Sequence, residues 1–230
     1  MPKQSYVYSV VMSDKFLNID LLSDSEVDLD LAVAHVQGEG VIAYPTETVY
    51  GFGSLPTTKG VARVQALKHR SREKPLIILT PTAEEVAGLA WNDEARLLGS
   101  AFWPGALTLV LRDPRSIFPP GIRSESDKVA VRVSSSPIVQ RILKKLGAPP
   151  TSTSVNYPGE LPARSASQVV KVISRLNGSS IMLIDTGTLP ISEPSTIVDC
   201  TVKPPEVLRE GRVQISNLGE VIPELHGKTI

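Results

Sequence analysis

The chain holds a single cysteine, Cys200, among 230 residues. One thiol excludes a disulfide framework and any cysteine-based zinc cluster, so Cys200 reads most simply as a small buried apolar residue. Histidine is almost as scarce: His35, His69 and His226 are scattered and form no metal-ligand spacing. Net charge is also missing, with 24 basic against 24 acidic residues. That balance argues against coating nucleic acid through bulk charge, so any polyanion must be met locally. Aromatics make up only 5%, few for stacking bases. No apolar run of about 18 residues occurs, and the N-terminal MPKQSYVYSVVMSDKF lacks the unbroken apolar stretch of a signal peptide. A cytoplasmic protein without membrane association is therefore expected. No Walker loop, dinucleotide fingerprint, nucleophile elbow, internal repeat or heptad pattern is present.

What is there alternates between helical and strand patterns, which predicts an α/β fold in one principal domain. Ser25 caps a helix to Gln37 with Leu29, Ala32, Val33 and Val36 on one face, and Gly38 and Gly40 end it. VIAYP is then a strand, PTETVYG a loop, and Thr57 or Thr58 opens a helix that delivers Lys68 at its C-terminal end. LIIL, LTLVL, VAVRV, IMLID, TIVDC and EVLRE read as further strands. Helices are expected from a Thr82/Glu85 capping box to about Ala90, from Asn92 to Phe102, from Ser136-Pro137 to Leu146, from Ser165 to Leu176, and weakly over 218–225. A Pro-rich loop at 112–127 is expected to cover something or to move. The expected organisation is an N-terminal extension over 1–24 with no assignable role, a catalytic domain over 25–215, and a tail or short helix over 216–230.

Three segments carry chemistry. KHRSREKP, Lys68 to Pro75, crowds Lys68, Arg70, Arg72 and Lys74, with His69, into seven positions. Such cations repel unless the loop is solvated or a polyanion such as a triphosphate sits among them. Arginine grips phosphate through paired hydrogen bonds and lysine acts as a point charge, so the mixture suits phosphate chemistry. PTETVYGFG, Pro45 to Gly53, offers the Thr46 and Thr48 hydroxyls, the flat face of Tyr50, and close backbone approach at Gly51 and Gly53. STSVN packs Ser152, Thr153, Ser154 and Asn156 around one valine. Each segment adjoins a predicted strand, where open α/β sheets collect ligands. Alone, each also reads as an ordinary loop or turn.

PTETVYG, K-x-R followed by KPL, WPGALTLVL, AVRV, S-x-N, PSTIVD and LREG, in this order and spacing from about Val41 to Gly211, resemble the YrdC-type threonylcarbamoyl-AMP synthases of tRNA modification, the TsaC and Sua proteins. The resemblance implies a YrdC-like twisted mixed sheet with surrounding helices and a concave basic cleft. It also implies a nucleotidyltransferase reaction: L-threonine, bicarbonate and ATP give threonylcarbamoyl-AMP and pyrophosphate, for the N6-threonylcarbamoyl group at adenosine 37 of tRNAs. The family's K-x-R and S-x-N residues carry over to Lys68, Arg70, Ser154 and Asn156, as catalytic and ATP-binding groups. Arg209 matches a position used toward ATP, and Thr46, Thr48, Arg132 and Ser195 are implied to face threonine. Magnesium is implied as a cofactor carried by ATP, with no metal site in the protein itself. The implied partners are ATP, threonine, bicarbonate and a downstream tRNA threonylcarbamoyl transferase complex, with RNA contact also open.

Two departures and two rivals accompany the resemblance. Leu79 stands where several relatives have a threonine-contacting histidine, and Pro194 replaces the glutamate of an EST segment. The long-form proteins carry a further C-terminal domain, and the few residues after Arg209 suggest the short, single-domain form. A non-catalytic double-stranded RNA-binding module could use the same cleft, since phosphate contacts alone give affinity. A YrdC-like module of the kind found in hydrogenase maturation proteins is the other rival, although those proteins carry zinc-finger-like cysteines.

Overall fold

The structure is a computed structural model and describes residues 6–12, 15–69, 74–176 and 180–227. The segment expected as an extension of unassigned role supplies two strands, β1 (Tyr6–Met12) and β2 (Lys15–Leu22), paired antiparallel. Helix α1 (Glu26–Gln37) starts where Ser25 Oγ accepts the Asp28 amide at 3.2 Å. Gly38 ends it, but the left-handed residue in that turn is Glu39 (φ 62°) rather than a glycine. β3 (Val41–Pro45) follows, and then β4 (Tyr50–Gly53), which the sequence reading placed in a loop. The two form a hairpin in which Pro45 pairs with Tyr50. Thr57 caps α2 (Thr58–Leu67) by accepting the Gly60 amide, and Lys68 closes the helix.

β5 (Ile77–Leu79) is followed by a single 3₁₀ turn over Glu84–Val86 instead of the expected capped helix. Thr82 gives no cap there; its carbonyl accepts the Thr80 hydroxyl at 2.8 Å. Ala90 then bridges to Arg112, which pulls the chain back to the sheet within one turn. α3 (Asp93–Phe102) is capped by Asn92. β6 (Leu107–Arg112), β7 (Lys128–Arg132), α4 (Pro137–Leu146), α5 (Ala166–Arg175) and β9 (Ile181–Ile184) match the expected elements within a residue or two, and β8 (Thr151–Ser154), between α4 and α5, takes in the first three residues of STSVN. Gly147 stops α4 in the left-handed conformation (φ 65°) that glycine adopts without a Cβ penalty. β10 (Thr196–Asp199), β11 (Glu206–Arg209), α6 (Ile215–Val221) and β12 (His226–Gly227) complete the order.

The strands join in the order β1-β2-β9-β3-β4-β8-β5-β7-β6-β10-β11-β12, with parallel and antiparallel pairs mixed. Alternation along each strand sorts side chains between two faces. Val41, Ala43, Tyr50, Phe52, Ile78, Leu109, Val131 and Val198 point to one face and pack with Val64 of α2, Leu98 of α3, Ile173 of α5 and Leu218 of α6. Burying each such large side chain is worth about 1.5–3 kcal/mol. Ile42, Tyr44 and Ile184 point the other way and pack under Leu29 and Val33 of α1 and Ile142 of α4. That second cluster runs from Leu22 of β2 across β9 and β3 and ends at Leu79, the last residue of β5. Over β5, β7, β6, β10 and β11, the residues of the same parity (Ile77, Ala130, Val110, Ile197, Leu208) line an open cavity instead.

Candidate active site

The cavity encloses about 650 Å³. Its floor is apolar, its rim polar, and its charged lining consists of Lys128, Arg132 and Arg209 with one carboxylate, Asp199. Of the residues singled out from sequence, Thr46, Thr48, Arg132, Ser154, Asn156, Ser195 and Arg209 all line it. Lys68 stands behind this lining, and Arg70 lies outside the described residues.

Strand register gives the cavity two ends. Ile77 pairs with Ala130 on one side and with Ser152 on the other. Lys128 of β7 and Ser154 of β8 each lie two residues from that pair toward the same end, where Pro75, the last residue of KHRSREKP, also lines the cavity. Two residues after Ile77, Leu79 is level with Arg132. Arg132 and Lys128 therefore mark opposite ends, roughly 13 Å apart at four residues of strand rise.

At the first end, Lys68 is not a member of a solvated loop. It is 5% exposed, and its Nζ donates to Asn156 Oδ1 at 2.8 Å and also to the Asn156 carbonyl. Ser154 Oγ donates to the same Asn156 Oδ1 at 2.8 Å. The Asn156 amide nitrogen reaches the carbonyls of Tyr157 at 3.0 Å and Glu160 at 3.1 Å, which fixes the side-chain orientation. The C-terminal end of α2 and the end of β8 are thus tied through one asparagine.

At the second end, Arg132 is already engaged. Its Nη2 lies 2.7 Å from Glu47 Oε1, and its Nε donates to the Gly105 carbonyl at 3.0 Å. Glu47 also accepts the Ser134 hydroxyl and, at 3.1 Å, the Ser135 amide. Burial works to raise the Glu47 carboxyl, but the Arg132 charge and the Ser134 hydroxyl outweigh it and hold the group below the usual carboxylate range. Glu47 escaped the sequence reading, which weighed only the threonines on either side of it.

Those threonines differ. Thr46 Oγ1 donates to the Val49 carbonyl at 2.6 Å and accepts the amides of Thr48 and Val49, each at 3.2 Å, so it locks the loop. Thr48 Oγ1 has a 3.1 Å contact to Thr46 Oγ1. Tyr50, expected to offer a face to a ligand, is fully buried, and its hydroxyl donates to the Gly187 carbonyl at 3.0 Å. Gly51 lines the cavity, whereas a Cβ on Gly53 would meet the Thr151 carbonyl at 2.5 Å, so that glycine serves close strand packing. Ser195 Oγ is 2.9 Å from Thr108 Oγ1, and its carbonyl accepts Arg209 Nη2 at 2.6 Å and Nε at 3.2 Å. Leu79 is buried in the core, away from the cavity lining.

The Pro-rich loop is folded onto the site. Asp113 takes the amides of Ile117 and Phe118 at 2.9 and 3.0 Å, Ile122 is fully buried, and Ser124 and Ser126 line the cavity. Lys128 and Asp199, absent from the sequence reading, form an ion pair at 2.7 Å within the lining. The alternation Lys128, Ala130, Arg132 was the available signal, since it puts Lys128 on the same strand face as Arg132.

The family model Sua5/YciO/YrdC, described as telomere recombination, matches residues 34–211. A threonylcarbamoyl-AMP synthase of Pyrococcus abyssi is 33% identical over 215 residues, covering 89% of this chain and 62% of its own length. A threonylcarbamoyl-AMP synthase of Marinobacter nauticus is 36% identical over 184 residues, covering 78% of this chain and 95% of its own. Among solved structures, P. abyssi Sua5 complexed with L-threonine superimposes with a TM-score of 0.82 at 31% identity, covering 90% of this chain and 62% of that one. The chain thus spans about 62% of the length of the P. abyssi protein.

Proposed function

Because the chain belongs to the Sua5/YciO/YrdC family, we propose that it makes threonylcarbamoyl-AMP and pyrophosphate from L-threonine, bicarbonate and ATP, for N6-threonylcarbamoyl modification of tRNA. The observation that carries this reading is the two-ended cavity. One end gathers Ser154 and Asn156 with Lys68 behind them; the other gathers Thr48, Arg132 and Ser195.

Threonine would occupy the second end, with its carboxylate near Arg132 and its hydroxyl near Thr48. Its amine would combine with bicarbonate to form a carbamate, releasing water. A carbamate oxygen would then attack the α-phosphorus of ATP, and the bond from that phosphorus to the β-phosphate bridging oxygen would break, freeing pyrophosphate. Catalysis of this kind rests on positioning and on charge placed where it develops. Lys68 and Arg70 would neutralise the phosphate oxygens, and Ser154 and Asn156 would orient the nucleotide. Arg209, anchored on the Ser195 carbonyl, would reach toward ATP from the far wall. Arg132 is held by Glu47 in a fixed place, which suits binding one carboxylate without reorganisation. Magnesium would enter as the counter-ion of the triphosphate. The adenylate would pass to a tRNA threonylcarbamoyl transferase complex.

The test is pyrophosphate release from magnesium-ATP by the purified protein, with and without L-threonine and bicarbonate. Release that requires both supports the proposal. Release independent of threonine, or none beside salt-sensitive binding of double-stranded RNA, would overturn it.

A further inference from the structure

Lys128 and Asp199 lie in the cavity lining with no part in the reaction just described. Lys128 Nζ stands 2.7 Å from Asp199 Oδ2; the lysine side chain is 27% exposed and the aspartate 6%. To make this contact the lysine crosses β6, where Val110 pairs with Ala130 on one side and Asp199 on the other.

Two observations set the pair apart from a structural clamp. Asp199 does not depend on the lysine for partners, because its Oδ1 accepts the Thr201 amide at 2.8 Å and the Thr201 hydroxyl at 2.6 Å. The lysine is also level with Ser154 across the cavity. Ala130 and Ser152 both pair with Ile77, and Lys128 and Ser154 each lie two residues from them toward the same end of the cavity. The hydroxyls of Ser124 and Ser126, 3.1 Å from each other, line the cavity on the Lys128 side, and Ser124 Oγ accepts the Lys128 amide at 3.1 Å. This wall therefore presents a cation on a flexible four-carbon stem and two hydroxyls, facing Ser154 and Asn156.

Resting on the ATP-dependent reading above, we propose that Lys128 is a second polyphosphate-binding residue, held by Asp199 in the resting site and transferred to the phosphates when ATP binds. Lysine suits this exchange because it is a compact point charge that can reorient without matching a fixed fork geometry. Asp199 keeps its Thr201 bonds when the ammonium leaves, so its carboxylate is not stranded.

Equilibrium binding of magnesium tripolyphosphate and, separately, of L-threonine, followed by calorimetry on the full chain, tests this without relying on turnover. Lys128→Met should weaken tripolyphosphate binding about tenfold, the loss of one charge-assisted hydrogen bond at a partly solvated site, and leave threonine binding unchanged. Lys128→Arg should restore most of the affinity. Asp199→Asn should bind tripolyphosphate as tightly as the wild type or more tightly, because the competing carboxylate is gone. Wild-type affinity in Lys128→Met would overturn the inference alone. Equal weakening of both ligands in Lys128→Met and Asp199→Asn would reduce the pair to a structural clamp. A wild-type protein that binds neither tripolyphosphate nor magnesium-ATP would overturn the ATP-dependent reading itself.

Discussion

The Lys68 ammonium donates to the Asn156 side-chain oxygen at 2.8 Å, and that same oxygen accepts the Ser154 hydroxyl at 2.8 Å. Three residues drawn from two distant segments therefore share one atom. Lysine and serine both donate, so Asn156 is oriented with its oxygen toward them and its nitrogen toward the Tyr157 and Glu160 carbonyls. The cation is thus held in a fixed place at the cavity edge, the condition that electrostatic catalysis would need.

Lys68→Ala should lower the rate of threonine-dependent pyrophosphate release by roughly a hundredfold, equivalent to about 3 kcal/mol of barrier. Asn156 would still accept from Ser154, so the fold should survive. The check is steady-state kinetics together with a thermal melt. A normal turnover number in a folded Lys68→Ala protein would remove Lys68 from the chemistry.

The Glu47–Arg132 pair and the Lys128–Asp199 pair set the acid limit of stability. For Glu47, burial raises the carboxyl but Arg132 and Ser134 prevail. For Asp199, burial likewise raises it, but the hydrogen bonds from Lys128 and Thr201 prevail. Both carboxyls are held lower in the folded chain than in the unfolded one. Their contribution is therefore complete above the ordinary carboxylate pKa of about 4 and is lost as pH falls through the folded values. Melting temperatures should fall off below about pH 4. Glu47→Gln should be less stable by about 2 kcal/mol at pH 7, below the range for a fully buried pair because Glu47 keeps some access to solvent. It should also lose less on acidification than the wild type. Parallel pH profiles for the two proteins would contradict this account.

Legibility in the sequence followed the range of the interactions. Caps at Ser25, Thr57 and Asn92 are local events, and each stands where the side-chain chemistry put it. The Thr82/Glu85 pattern is equally local, yet Ala90 bridges to Arg112 and only a 3₁₀ turn forms. β4 was hidden because glycines at positions 51 and 53 lower strand propensity, while pairing with β3 and β8 imposes the strand regardless. β2 likewise pairs with a distant strand, β9, and β1 joins the sheet through β2. In the site, motif residues were found by type and spacing. Their counter-ions were not, since Glu47 meets Arg132 and Asp199 meets Lys128 across 85 and 71 positions of chain, a pairing that no local pattern encodes.

Cys200 should be inert while the chain is folded. It is 4% exposed, and burial, with the Asp199 and Glu94 charges, pushes its thiol up to about 12. The thiolate fraction near neutral pH is then about a thousandfold below that of a free cysteine. A chromogenic disulfide reagent should react negligibly with the native protein and stoichiometrically after denaturation. Rapid reaction of the native thiol would show that the β10 end opens in solution.

The two threonines of the Pro45–Gly53 segment should separate binding from folding. Thr46 Oγ1 makes one donated and two accepted bonds within the loop, so Thr46→Val should leave buried amides unpaired and cost about 1–3 kcal/mol of stability. Among the described residues, Thr48 Oγ1 bonds only to its neighbour's hydroxyl, at 3.1 Å, and Thr48 sits in the cavity wall. Thr48→Val keeps the shape and removes the hydroxyl, so the KM for threonine should rise about tenfold with the KM for ATP unchanged. A pocket that pairs the substrate hydroxyl also rejects an analogue without one, because its own polar group is then left unsatisfied. Serine should therefore compete with threonine better than valine does in the wild type, and that preference should shrink in Thr48→Val. Competition assays with both amino acids on both proteins decide the point: an unchanged serine-to-valine ratio would move hydroxyl recognition away from Thr48, to Ser195 just before β10.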